Sequence, residues 1–410
     1  MVKISVVMPV YNAEDYLEMS LKSVSNQEIK DIELICVNDG STDNSTNIIN
    51  KFAKDNDFIK VINQENSGTA CARNNGIKNA AGEYIAFLDA DDIFLDNTAL
   101  EKMYELAKKT DAEIVGANLK RIKPDGSLEE NYDYINAPFT YFDEQKVITP
   151  KEYGIPWAFY KNIYKKGFIE KHSIEFPQLS RGQDPIFLSE VLSKVERIPV
   201  IDVDLYGYNH SAGGGVNIKV NDYPKKRDYV QHFIQTFEIL ENNGFTEALD
   251  VYKKEFIDYI NFRQNINDED IQKILRESTE LESYFTMDDY GYLIIDLIKN
   301  PPQQTDTEYE TIKRCLFEES MLENTFIDIY RLKEYSKISE KSAIDENMLK
   351  SSFKQLKDIE EYTFEDKRKI NSTVGKLQKQ IKHYIKSNDE ILTSNSWKVT
   401  GALRSLKHKF

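Results

Sequence analysis

The stretch Tyr84-Ile85-Ala86-Phe87-Leu88-Asp89-Ala90-Asp91-Asp92 carries five apolar residues straight into three carboxylates within four positions. Such a run suits a strand buried in a parallel sheet, with Asp89, Asp91 and Asp92 just past its carboxyl end. In open α/β sheets, ligands bind in the crevice beyond the carboxyl ends of the strands. The aspartates therefore stand where chemistry is expected.

Upstream, short β-branched runs alternate with amphipathic stretches, the pattern of a mostly parallel sheet covered by helices. Ile4 to Met8 reads as a first strand, and a helix follows from about Glu14, with Leu17, Leu21 and Val24 on one stripe. Ile32 to Val37, Ile59 to Ile62 and Tyr84 to Leu88 read as further strands, with helices over Asn44 to Lys54 and Ala72 to Ala80. Tyr11-Asn12, Asn38-Asp39-Gly40 and Asp89 to Asp92 each follow a strand.

Downstream, Asn136 to about Asn217 reads as irregular and aromatic-rich, punctuated by Pro138, Pro150, Pro156, Pro177 and Pro199. Trp157, Phe159 and Tyr160 within it either stack on an acceptor or, the commoner fate of such residues, fill a core. Beyond Asp222 long helical patterns take over, including Tyr229 to Glu241 and Leu249 to Phe262. An interrupted heptad over Leu349 to Tyr384 favours packing on neighbouring helices over a coiled coil. The expected division is an α/β domain over 1–220, a helical domain over 221–335 and a helical, basic tail over 336–410.

The formal charge of −16 argues against a chain that holds nucleic-acid phosphates. Residues 366–410 carry 11 Lys or Arg against 3 Asp or Glu, a net of +8, which leaves −24 for the remainder. That stretch, ending in Trp397, Val399, Leu403, Leu406 and Phe410, reads equally as a peripheral contact with an anionic membrane or as a solvated tail. Cys36, Cys71 and Cys315 are too dispersed for a disulfide framework or a zinc site, and suit a reducing cytosol. Neither a signal peptide nor an apolar run of roughly 20 residues is evident.

Two carboxylates at a strand end can hold Mg²⁺ or Mn²⁺ with positions left for phosphate oxygens, a role that Asp89 and Asp91 suit. The same aspartates can instead cap a helix starting near Asn97. Their crowding repels unless a cation is shared, which favours the metal. Asp39, in Asn38-Asp39-Gly40-Ser41-Thr42-Asp43, lies in a helix-entering turn or accepts hydrogen bonds from a base or ribose. Arg73 either meets phosphate or braces the sheet.

Four ordered segments carry a family resemblance: Ser5 to Asn12, Val37 to Asp43, Asn66-Ser67-Gly68 through Gly76, and Tyr84 to Asp92. Over roughly residues 1–215 the chain resembles glycosyltransferase family 2, enzymes of the GT-A fold. The resemblance implies that Pro9, Tyr11, Asp39 and Asn66 line a base and ribose site, Arg73 a phosphate region, and Asp89 and Asp91 a sugar diphosphate with Mn²⁺ or Mg²⁺. It also implies an inverting single displacement whose base is Asp184, in Arg181-Gly182-Gln183-Asp184-Pro185, with Gln183 where relatives carry glutamate. Asp184 before Pro185 also reads as a helix cap. His210 is implied as a third metal ligand or phosphate partner, although a lone histidine is more often structural. Ser211 to Gly215 reads as a lid over the donor or as a linker.

The implied partners are a nucleotide-sugar donor, taken as a UDP-sugar, and a glycan or polysaccharide acceptor at the cytosolic face of the membrane. Ser396 to Arg404 resembles the termini of capsule-type relatives. Two rivals remain: a nucleotidyltransferase, disfavoured by Tyr11-Asn12-Ala13-Glu14 where a glycine-rich loop would stand, and a non-catalytic nucleotide-sugar-binding module. Whether the chain forms a homo-oligomer is left open.

Overall fold

β1 (Ile4–Val10) is buried along its whole length, because β2 (Ile32–Asp39) pairs with it on one side and β4 (Tyr84–Phe87) on the other, both parallel. A strand walled in by partners and covered by helices reads as an unbroken apolar run rather than an alternating one. β3 (Ile59–Gln64) joins β2, again parallel. The crossovers are α1 (Leu17–Ser25), α2 (Ser45–Asp55) and α3 (Thr69–Asn79). Leu17, Leu21 and Val24 bury one stripe of α1, as their spacing predicts. These four strands and three helices match the reading of the first ninety residues to within a few positions. The structure, a computed structural model, describes residues 1–123, 126–128, 141–154, 156–209, 222–261, 268–285 and 295.

α3 lies unusually close to the sheet. Its buried face is Ala70, Ala72, Arg73, Gly76 and Ile77, and a Cβ on Gly76 would come 2.3 Å from Val7 Cγ1. Small residues bring the helix down onto β1, which carries Arg73 under the carboxyl ends of the strands.

The remainder of the sheet is mixed. β5 (Ile93–Phe94) follows the acidic turn, then α4 (Ala99–Thr110), β6 (Ile114–Ile122), β7 (Lys146–Ile148), α5 (Pro150–Tyr153), β8 (Asn162–Lys165), α6 (Lys166–Lys171), α7 (Gln183–Leu192) and β9 (Ile198–Asn209). The strand order is β3-β2-β1-β4-β8-β6-β9-β5, with β7 also on β9. The fold is α/β with the parallel half at β3-β2-β1-β4. The stretch 136–217, read as irregular with prolines punctuating short elements, holds among its described residues three strands and three α-helices, most of them short, with β9 longer than that reading allows. Their core is aromatic. Phe87, Phe159, Tyr164, Phe176 and Phe187 pack edge to face, except that Phe176 and Phe187 stack at 4.0 Å. Phe159 and Tyr160 are buried, so they belong to that core, while Trp157 is half-buried.

α8 (Tyr223–Asn242) opens on an Asp222 side chain that accepts from the Lys225 amide, with Pro224 in the first turn. α9 (Thr246–Asn261) follows. The chain divides into two compact units, Met1–Glu255 and Phe256–Phe410. The helical stretch expected from 221 thus begins with α8 inside the unit that carries the sheet. Within the second unit, α10 (Glu269–Glu277) buries Ile271, Ile274 and Leu275, and α11 (Leu281–Tyr284) follows it. The tail expected over 336–410 lies outside the described residues. Among those described, no helix is long and apolar enough to cross a membrane.

Candidate active site

Past β4, the Leu88 amide donates to the Val7 carbonyl, and the chain then turns away from the sheet. The turn is pinned from β9. The Tyr206 hydroxyl accepts from the Asp89 amide at 3.2 Å and donates to Asp92 Oδ2 at 2.6 Å, while the Asn209 amide donates to Asp92 Oδ1 at 2.7 Å. Asp92 is thereby buried and used structurally. Burial, then the charges of Asp91 and Asp89, push its carboxyl well above the usual carboxylate range.

The alternative of helix capping fails on geometry. α4 starts after Thr98, and it is Asp96 that accepts from the Thr98 amide and hydroxyl. Asp89 and Asp91 are left partly exposed past the carboxyl end of β4.

Asp89 meets Arg73, whose Nη2 donates to Oδ1 at 2.8 Å and to Oδ2 at 3.1 Å. The other terminal nitrogen, Nη1, donates to Asp184 Oδ1 at 2.7 Å. The guanidinium lies over the rings of Phe159 and Phe176, at 4.6 and 5.1 Å from their centroids. Arg73 is almost fully buried, at 4% side-chain exposure, whereas Asp89 and Asp184 are 28% and 29% exposed. Burial works against the arginine's charge, but the two carboxylates outweigh it and hold it protonated. Arg73, expected at phosphate, is therefore engaged by two carboxylates and serves as the bracket between them.

Asp184 lies in the first turn of α7, two residues past the Gly182 cap position. It is not the cap. Burial raises its pKa, Arg73 opposes that, and Asp89 adds to it. Gln183 is buried and its amide donates to the Leu179 carbonyl at 2.7 Å, so of the two neighbours it is Asp184 that faces the bracket.

Asp91 is half-buried and its carboxyl is pushed up to about 6 by burial and by Asp89, with its own amide and Arg73 in opposition. Among the described residues, no group of three or more His, Cys, Asp or Glu side chains forms a metal cage. A carboxylate raised by burial and by its neighbour's charge, as Asp91 is, suits Mg²⁺ or Mn²⁺, which take one or two protein carboxylates and complete their shell with water and phosphate oxygens. The donor set thus fits a divalent cation carried with a diphosphate. His210 lies outside the described residues.

The loops after β1, β2 and β3 are tied to one another. Asp39, buried at the end of β2, accepts from Gln64 Nε2, the Ser67 amide and the Gly68 amide at 2.8, 2.8 and 2.9 Å. It fixes the loop entering α3. Gly40, at φ +72°, lets that loop approach: a Cβ there would sit 2.9 Å from the Asn66 amide nitrogen. Asn12, itself at φ 48°, accepts from the Thr42 amide at 2.8 Å. Pro9 is buried in β1, Asn66 is exposed, and Tyr11 is 50% exposed. The structure therefore brings Asp39 and Asn66 onto adjoining loops, and Asp89 and Asp184 onto one arginine. Sequence reasoning missed Tyr206 as the tether of the acidic turn, and it missed the joining of Asp89 to Asp184.

The model of the family described as "Glycosyl transferase family 2" matches residues 5–168. The Bacillus subtilis protein named "Uncharacterized glycosyltransferase EpsJ" is 30% identical over 215 residues, 51% of this chain and 61% of its own. The chain thus spans about three fifths of that relative. The Streptococcus pneumoniae protein named "Glycosyltransferase GlyG" is 32% identical over 243 residues, 56% of this chain and 78% of its own. Among solved structures, S. aureus TarS 1–349 in complex with UDP matches with a TM-score of 0.58 at 18% identity, over 77% of this chain and 92% of that one. That likeness is one of fold.

Proposed function

Because the chain belongs to glycosyltransferase family 2, we propose that it moves a sugar, with inversion, from a UDP-sugar to a hydroxyl of a glycan or polysaccharide acceptor. The observation that carries the reading is the arginine bracket, which sets a carboxylate of the acidic turn and a second carboxylate, Asp184, on the two ends of one guanidinium.

In this reading Pro9, Tyr11 and Asn66 line the base and ribose, while Asp39 holds the Asn66 loop in position through its three hydrogen bonds. Asp89 and Asp91 bind the diphosphate together with Mn²⁺ or Mg²⁺, and His210 is a candidate third ligand. When bound, the ion supplies neutralising charge to the leaving diphosphate. Asp184 accepts the proton of the acceptor hydroxyl as that oxygen attacks the anomeric carbon from the face opposite the diphosphate. Arg73 favours the base form of Asp184 against burial, which still leaves the carboxyl above its ordinary value, a shift toward what a base needs. The basic stretch 366–410 is read as a contact with the anionic inner face of a membrane, near a polysaccharide acceptor.

The test is a thermal-shift screen of UDP and UDP-sugars with and without Mn²⁺, followed by turnover of Asp184→Asn. Stabilisation by UDP with Mn²⁺ is the expected result, since a ligand of the native state raises its stability by mass action. The variant is expected to keep that shift and to lose at least about a hundredfold in transfer. Near-normal turnover would remove Asp184 as the base. Binding without turnover in the unaltered chain would leave a non-catalytic module.

A further inference from the structure

Asp184 is set by the residues just before it, and those residues are held by α8 rather than by the sheet. The Ser180 amide and hydroxyl both donate to Asp228 Oδ2, at 3.0 and 2.9 Å. The Arg181 guanidinium lies 4.5 Å from the centroid of the Tyr229 ring. Gly182 adopts φ +81°, and a Cβ there would come 2.2 Å from Cγ of His232. Glycine is required twice at this position, by the left-handed backbone and by the imidazole against it. His232 neighbours Asp228 at i, i+4 and Tyr229 at i, i+3 on the surface of α8, so the three share one broad face.

The far side of the grip is also fixed. His232 is fully buried and its Nε2 lies 3.1 Å from the Tyr252 hydroxyl of α9. Trp157 lies with its ring 6.2 Å from the imidazole and donates from Nε1 to Glu255. Burial pushes His232 down to about 3, so the ring is a neutral wedge rather than a charge.

We infer that α8 is a positioning element for the base: the Asp228, Tyr229 and His232 face clasps Ser180, Arg181 and Gly182 and thereby sets where α7 presents Asp184. The inference rests on the reading of Asp184 as the base. Asp228 and His232 touch no reacting atom in it. They act through the loop.

The probe is hydrolysis of UDP-GlcNAc by the full chain with Mn²⁺, in which water stands in for the acceptor hydroxyl. Ser180→Ala removes one of the two donors at an exposed residue, and Asp228→Ala removes their acceptor. Both are expected to lower kcat by about ten- to a hundredfold, with the KM for UDP-GlcNAc and the UDP-induced thermal shift within about twofold of the unaltered chain. Ser180→Thr, which keeps both donors, is expected to retain most of kcat. If Asp228→Ala fails to fold, the Ser180 pair carries the test alone. An unchanged kcat in Ser180→Ala, or a fall in kcat that Ser180→Thr shares, overturns the clasp. Full activity in Asp184→Asn would overturn the base assignment and the clasp with it, whereas a dead Asp184→Asn beside an unaffected Ser180→Ala sinks the clasp alone. Absence of cleavage of every UDP-sugar in the screen, UDP-GlcNAc included, by the unaltered chain counts against the functional reading itself.

Discussion

At the scale of single residues, the site turns on Arg73. Four contacts converge on it: Asp89 and Asp184 on its terminal nitrogens, and the Phe159 and Phe176 rings against the guanidinium. A planar guanidinium can serve two carboxylates at once, whereas a lysine ammonium is a single point charge on a flexible stem. Arg73→Met would leave two carboxylates facing each other with no cation between them. Removing one partner of a buried ion pair typically costs about 3–5 kcal/mol. The partial exposure of both aspartates lets water recover part of that, so a loss of about 2–4 kcal/mol is expected by urea unfolding. Arg73→Lys is expected to lose less stability and still to lose at least about tenfold in transfer, because one of the two carboxylates is released. Equal stability of Arg73→Met and the unaltered chain would show that the bracket contributes nothing. Asp89 and Asp91 were legible in the sequence because they follow an apolar run directly. The bracket was not, because Arg73 and Asp184 lie 111 positions apart and no local pattern couples them.

At the scale of elements, β1 to β4 and α1 to α3 were readable because each strand is a short, largely apolar run and α1 and α2 carry apolar residues at helical spacing between them. β7, β8 and β9 were hidden in a stretch rich in aromatics and prolines, where turn signals masked the strands. β9 matters most among them. It runs parallel to β6 and brings Tyr206 against the acidic turn, so its register decides where Asp89 and Asp92 stand. Tyr206→Phe keeps the ring, which stacks on Tyr160 at 4.3 Å, and deletes only the hydroxyl. Asp92 then loses a donor while remaining buried, a change worth about 1–3 kcal/mol. The acidic turn also loses one of its ties to β9, the Asn209 amide to Asp92 remaining. The expected outcome is a modest fall in unfolding midpoint and a tenfold or larger loss in the Mn²⁺ concentration dependence of UDP binding, of the order seen when groups that orient metal ligands are removed. A variant with unchanged Mn²⁺ dependence would separate the tether from the metal site.

At the scale of the whole molecule, charge is divided more sharply than structure. Residues 366–410 carry a net +8 and the rest of the chain −24. Each Lys or Arg close to an anionic leaflet contributes about 1 kcal/mol, but the acidic remainder is repelled by the same surface. Attraction therefore wins only if the basic stretch meets the lipid while the acidic body stays beyond a screening length, about 10 Å at 0.1 M salt. This makes the membrane reading separable from the solvated one. The full chain is expected to sediment with phosphatidylserine-containing vesicles at low salt and not with neutral ones, and a chain ending at Glu365 is expected to stay in the supernatant. At about 1 M salt, where screening falls to about 3 Å, the electrostatic part should vanish. Whatever binding persists there measures the apolar contribution of Trp397, Leu403, Leu406 and Phe410. If the full chain ignores anionic vesicles, the basic stretch is not a membrane contact, and access to the acceptor must come from elsewhere in the molecule.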